Sequence, residues 1–346
     1  MTIQAEAPPI TPQRILDLGL QFQQSKVLLS AVELGLFSEL ANGPLTAAEL
    51  ADRVGLHPRG VLDFLDTLVA LGLLDRSDSL YTNTFEAATF LDQARPTYLG
   101  GILEMANTRL YPFWGHLTEA LTSGRPQNET RDNNDFFAAL YQDTDRLREF
   151  LAAMDSSANF IGAELAQVFD WASYLSFIDI GGARGGVSAR IARSHPHLRA
   201  ACLDLPAVQP IFDDHMSTLG MTGKVDFHPV DFLADPLPAT DVFILGHVLH
   251  DWDSSQNQTL IQKAFDALRP GGAILIYDAM IDDERRQNLF GLVMSLNMLV
   301  ETTGGSEYTA ADCKAWLRSA GFEDATSRSL IGPDTLVIGR KPVTDQ

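Results

Sequence analysis

The sequence predicts an α/β protein: a doubly wound, Rossmann-like sheet with an antiparallel last strand, preceded by a mostly helical winged-helix domain. Three observations carry this reading. The stretch from Phe177 to Val187 (FIDIGGARGGV) is an apolar β-forming run that enters a glycine turn and then a helix on which Val187, Ile191 and Ala192 recur at helical spacing. Further β-forming runs at 175–180, 200–204, 225–230, 241–246 and 273–278 alternate with helical patterns, the signature of parallel strands linked by crossovers. The last two runs, 325–331 and 335–340, are joined only by Gly332-Pro333-Asp334, too short for a crossover, so they pair antiparallel.

In chain order, the proline-rich start to about Thr11 reads as a loose arm, followed by apolar helical faces from Ile15 to Leu40 broken at Gly35. Thr46-Ala-Ala-Glu49 is a capping box that opens a short helix ending near Gly55. A second helix spans Pro58 to Leu71 and stops at Gly72, and Leu73–Arg76 with Leu80–Thr82 forms a hairpin, completing a winged helix-turn-helix. Ala88 to Leu121 is read as helical and rich in bulky side chains, Thr122 to Asn134 as a polar loop, and Phe136 to Phe169 as a helical bridge. The domains expected are therefore 1–95, winged helix; 96–170, helical linker and pocket region; and 171–346, the sheet domain.

Composition limits the function classes. The 346 residues suffice for two domains, and 45% apolar content is that of a globular chain. A net charge of −20 argues against binding nucleic acid, where Lys and Arg must neutralise phosphates. The candidate recognition helix agrees, setting Arg59 against Asp63 and Asp66. No segment approaches the roughly 20 apolar residues of a membrane span, and the first residues lack a secretion signal. Cys202 and Cys313 form no disulfide or metal pattern, which fits a reducing cytoplasm.

The ligand of the glycine turn follows from its spacing. A dinucleotide fingerprint is absent, because the third position from Gly181 is Ala183 and from Gly182 is Arg184. The motif present is Asp179-x-Gly181-Gly182-x-x-Gly185. Asp204 ends the next strand run, ahead of Leu205-Pro206, where such a sheet offers a carboxylate to ribose hydroxyls. Asp231-Phe232, after the third run, adds a carboxylate and an aromatic face for an adenine ring. His250-Asp251-Trp252 lies just past the C-terminal end of the fourth run, the edge at which open sheets bind ligands. A histidine there can take a proton from a hydroxyl, or be a satisfied interior residue.

These motifs, with Arg269-Pro-Gly-Gly272 and Gly304-Gly-Ser-Glu307-Tyr-Thr309, give the chain from Phe160 onward a resemblance to the S-adenosylmethionine-dependent small-molecule O-methyltransferases of the caffeate and hydroxyindole type, including their bacterial natural-product branch. The resemblance implies a SAM cofactor leaving as S-adenosylhomocysteine, no metal, a small aromatic acceptor, and a homodimer formed through the winged-helix domain. It implies His250 as general base with Asp278 and Glu307 positioning it. Asp179, Gly181, Gly182, Asp204, Leu205, Asp231 and Phe232 are expected at the cofactor. Met105, Phe113, Trp114, Phe160, Asp251 and Met298 are expected at the acceptor, although bulky residues such as Met105, Phe113, Trp114 and Met298 also read as plain core. His247, His250 and Asp251 have a spacing that could ligate a metal, but no third histidine or cysteine completes the set. The chain departs from the family at Gly246, where a cofactor-touching lysine is usual, and at Tyr308, where arginine is common and a pocket wall or local packing is the reading here. Arg184 is expected to point to solvent rather than cover the cofactor.

Overall fold

The computed structural model describes residues 10–129 and 140–343. The chain divides into two compact units, Met1–Thr108 and Arg109–Gln346.

In the first unit, α1 (Gln13–Leu20) and α2 (Phe22–Glu33) lead to Gly35, whose φ of 65° turns the chain into α3 (Leu36–Leu40). A short strand, β1 (Leu45–Thr46), ends on the capping box of α4 (Ala47–Val54): the Thr46 hydroxyl accepts the Glu49 N–H, and the Glu49 carboxylate accepts the Thr46 N–H at 2.8 Å. Helix α5 (Val61–Ala70) starts later than expected because Pro58-Arg59-Gly60 form a turn. The hairpin β2 (Leu74–Ser77) and β3 (Leu80–Asn83) completes an antiparallel sheet in the order β1-β3-β2. Leu36, Phe37, Leu50, Leu65, Leu68, Leu74 and Tyr81 fill its core, each such burial contributing about 1.5–3 kcal/mol. Asp66 of α5 is held by the hairpin, accepting from Arg76 at 2.6 Å and from the Tyr81 hydroxyl at 2.8 Å.

The expected helical run from Ala88 to Leu121 is broken. α6 (Phe85–Phe90) and α7 (Gly100–Met105) flank a polar turn-rich stretch, and α8 (Tyr111–Trp114) and α9 (Leu117–Ser123) are parted at Gly115-His116. The expected polar loop and the start of the bridging helix fall partly on residues 130–139, outside the described residues; α10 (Thr144–Met154) and α11 (Ala158–Val168) follow.

The second unit is built on the strands β4 (Ser176–Ile180), β5 (Arg199–Asp204), β6 (Val225–Pro229), β7 (Thr240–Gly246), β8 (Leu268–Asp278), β9 (Glu323–Ser329) and β10 (Thr335–Arg340), in the order β6-β5-β4-β7-β8-β10-β9. β10 is antiparallel to both its neighbours, and the remaining pairings are parallel. β8 begins earlier than expected because Leu268 pairs with Thr240 ahead of the Pro-Gly-Gly irregularity. Residues alternate to the two faces, as strand geometry requires. Phe177, Val242, Ile244 and Leu275 meet α11, α12 (Gly186–Ser194) and α13 (Gln209–Thr218) on one side. Ile178, Phe243, Leu245 and Ile276 meet α14 (Ser254–Ala267) and α16 (Ala310–Ala320) on the other, α15 (Leu289–Glu301) lying between α14 and α16 in sequence. Both cysteines are buried free thiols. The register aligns Ile180 with Leu203 and Leu245, and Gly246 with Tyr277, so the C-terminal ends of the parallel strands share one edge. Among the described residues no helix is long and apolar enough to cross a membrane.

Candidate active site

The turn after β4 takes the left-handed region at Gly181, Ala183 and Gly185, with φ of 66°, 51° and 77°. It is closely walled. A Cβ at Gly182 would lie 2.7 Å from Cys202 Sγ and 2.9 Å from the Asp179 carboxyl, and one at Gly186 would lie 2.1 Å from Asp155 Oδ1. Asp204, at the end of β5, accepts the Ala183 N–H at 3.0 Å, the Leu205 N–H at 2.8 Å and the Tyr141 hydroxyl at 3.3 Å. Burial nevertheless pushes its carboxyl up to about 6. Below it, Asp179 accepts from Ser188 at 2.9 Å, and burial, reinforced by the charges of Asp204 and Asp155, lifts it to about 7. Phe232 stands edge-on to Trp252 at 6.1 Å. Asp231 caps its own turn, its Oδ1 accepting the Leu233 and Ala234 N–H groups. Arg184 does not point freely to solvent: its guanidinium donates to Asp155 at 2.9 Å, the counter-charge that the Gly186 turn leaves room for, and His215 lies 3.5 Å from the same oxygen.

Across the edge, the turn after β7 delivers His250 into a buried carboxylate cluster. Glu307 Oε1 lies 2.8 Å from His250 Nδ1 and Asp278 Oδ1 3.3 Å from the same nitrogen, while Asp251 Oδ1 is 3.8 Å from Nε2. Asp278 ends β8, and its other oxygen accepts the Tyr308 hydroxyl in a short hydrogen bond. Burial opposes a charged imidazolium, yet the negative charges of Asp278, Asp251 and Glu307 outweigh it and raise His250 to about 10. His247, at φ 54°, pairs with the buried Asp334 at 3.1 Å and stands edge-on to His250 and to Tyr277. The Tyr277 ring fills the space beside Gly246, where a Cβ would lie 1.9 Å from it. His247, His250 and Asp278 bring ligand atoms within 4.8 Å of one another, with Asp278 where the sequence pattern had Asp251. Both imidazoles are already paired with carboxylates.

Of the residues expected at the acceptor, Trp114 donates its indole N–H to Asn297 of α15 at 2.9 Å. Phe113 lies under the Arg109 guanidinium, 5.5 Å from ring centre to Cζ, and Arg109 also bonds Glu301 at 2.9 Å. Met298 is buried on α15, Phe160 is half-buried on α11, and Met105 ends α7 in the other unit. Sequence reading missed Tyr141, Asp155, Asn297 and Asp334. Asp334 alone carried a signal, since it directly precedes β10, whose first residue, Thr335, pairs with Asp278 of β8.

The donor set suits one class of ligand. Bare backbone at the turn lets a ligand approach, the β5 carboxylate suits ribose hydroxyls, and the surrounding acids Asp155, Asp179, Asp204 and Asp251 favour a cation over a pyrophosphate. SAM, with its ribose and positive sulfur, fits, and the fold and site together define a SAM-dependent methyltransferase. A family model described as the O-methyltransferase domain matches residues 114–323, and a second, the O-methyltransferase dimerisation domain, matches residues 16–93. The chain belongs to this O-methyltransferase family. It is 49% identical to the tetracenomycin polyketide synthesis 8-O-methyl transferase TcmO of Streptomyces glaucescens, over 96% of this chain and 97% of that protein. It is 38% identical to the N,N-dimethyltransferase OxyT of Streptomyces rimosus, over 99% and 100%. The crystal structure of human N-acetylserotonin methyltransferase in complex with SAM superposes with a TM-score of 0.89 at 30% identity, covering 98% of this chain and 100% of that one.

Proposed function

We propose that this enzyme methylates a phenolic hydroxyl of a small, polyketide-like aromatic, with His250 as the general base. The observation that carries the reading is the pairing of one buried imidazole with two buried carboxylates through a single nitrogen. Glu307 and Asp278 hold the proton of the neutral ring on Nδ1, so Nε2 keeps its lone pair for the acceptor hydroxyl. Their charge then stabilises the imidazolium that forms, and the oxyanion left behind is the nucleophile. SAM, when bound, supplies a methyl group on a positively charged sulfur. Gly181, Gly182, Asp204 with Leu205, and Asp179 beneath them would hold it, with Asp231 and Phe232 at the adenine end. Trp114, Phe113, Met298 and Phe160 would shape the acceptor pocket, and Asp251 faces Nε2. The polyketide class is supported by TcmO, the 49%-identical relative named for tetracenomycin polyketide synthesis. The enzyme acts as a homodimer through its dimerisation domain, in the cytoplasm.

The test is the His250→Ala variant, assayed by calorimetry with S-adenosylhomocysteine and by turnover over a panel of phenols. Retained cofactor affinity with turnover abolished supports the base; unchanged turnover removes it. OxyT, at 38% identity over nearly the whole chain, favours a second reading in which the acceptor atom is nitrogen. Mass spectrometry and NMR of the product separate the two.

A further inference from the structure

Tyr308 follows Glu307 directly, yet it serves the other carboxylate. Its hydroxyl donates to Asp278 Oδ2, while Asp278 Oδ1 faces His250 Nδ1 at 3.3 Å and Glu307 Oε1 faces the same N–H at 2.8 Å. One N–H thus confronts two dry carboxylates, and two such charges cannot both stay ionised at low cost without another donor. Tyr308 is that donor. Its ring is buried and packs on Trp316 with centroids 4.9 Å apart, which aims the hydroxyl. We propose that Tyr308 is a positioning residue that keeps Asp278 ionised and turned toward His250, and so sets the basicity of the base. The inference rests on the reading of His250 above.

Asp278 faces His250, His247, Glu307 and Tyr308, with Cys313 of α16 and Tyr277 nearby. His250 faces Asp278, Asp251, Glu307 and His247. The sign follows. Burial raises the Asp278 carboxyl to about 7, and the Tyr308 hydrogen bond opposes that rise. Without the hydroxyl, Asp278 takes up a proton at a higher pH, its charge beside His250 is lost, and the imidazolium is less stabilised.

The experiment compares the full-length protein with Tyr308→Phe, Asp278→Asn and the double variant, recording kcat against pH with a fixed phenol acceptor and S-adenosylhomocysteine affinity by calorimetry. Tyr308→Phe should move the acid limb of the kcat profile down by about one pH unit and lower kcat about tenfold, the size of a lost hydrogen bond to a charged group. Cofactor affinity should be unchanged. In the Asp278→Asn background the same Tyr308→Phe change should have little further effect, because its target is gone. An unmoved pH profile, or additive losses in the double variant, would overturn the proposal. If His250→Ala retains turnover, the base reading fails instead, whatever Tyr308→Phe does.

Discussion

Glu307 Oε1 stands 2.8 Å from His250 Nδ1, two residues 57 positions apart joined at the sheet edge. In the proposed base role this contact keeps the proton of the neutral ring on Nδ1, leaving Nε2 basic. Glu307→Gln can present its amide N–H to Nδ1 and so favour the wrong tautomer. Turnover should fall on the order of 10²- to 10⁴-fold, the range of general-base catalysis, with cofactor affinity intact. A variant retaining wild-type kcat would show that Glu307 does not orient the base.

The raised basicity of His250 gives opposite trends for rate and stability. In the proposed base role the rate needs the neutral ring, so kcat should climb with pH through the region above the ordinary histidine value of 6.5 toward about 10. A folded-state pKa raised above its unfolded value stabilises the fold fully below 6.5 and loses that contribution as pH rises toward about 10. Thermal melts of wild type and His250→Gln should therefore converge with rising pH. Parallel melting curves across that window would contradict the shift.

Gly182 and Gly60 separate close packing from mere flexibility. A Cβ at Gly182 would press on Cys202 Sγ at 2.7 Å, whereas one at Gly60 meets nothing within 4 Å. Gly182→Ala should distort the turn and weaken S-adenosylhomocysteine binding at least about tenfold by calorimetry, as a shift of about 1.4 kcal/mol would. Gly60→Ala should leave it within error. Equal behaviour of the two would mean that the turn yields and does not define the cradle.

The sheet was legible because buried parallel strands read as short apolar runs, and 175–180 and 241–246 lie within a residue of β4 and β7. The helical run to Leu121 was not, because apolar content alone does not show where Gly115-His116 interrupts it. His250, Glu307 and Asp278 were found through the family resemblance. Tyr141 and Asp155 were not, since neither sits in a periodic pattern and they meet their partners, Asp204 and Arg184, only through the folded chain. Arg184 was misjudged because its counter-ion lies 29 positions upstream.

The first helix has no buried residue. Ile15 and Leu18 are 77% and 71% exposed, and Leu16, Leu20 and Phe22 are also open. A helix this short is not stable facing water by propensity alone, and its open apolar side chains suit packing against a second copy. Replacing Ile15 and Leu18 together by Glu places two charges where a partner helix would pack, and desolvating them opposes association. Light scattering on a sizing column should show wild type near twice the 37.9 kDa chain mass and the double variant near one chain mass. Circular dichroism should remain close to wild type, since the core of Leu36, Phe37, Leu50 and Leu65 is untouched. A double variant that still runs as a dimer would place the interface elsewhere.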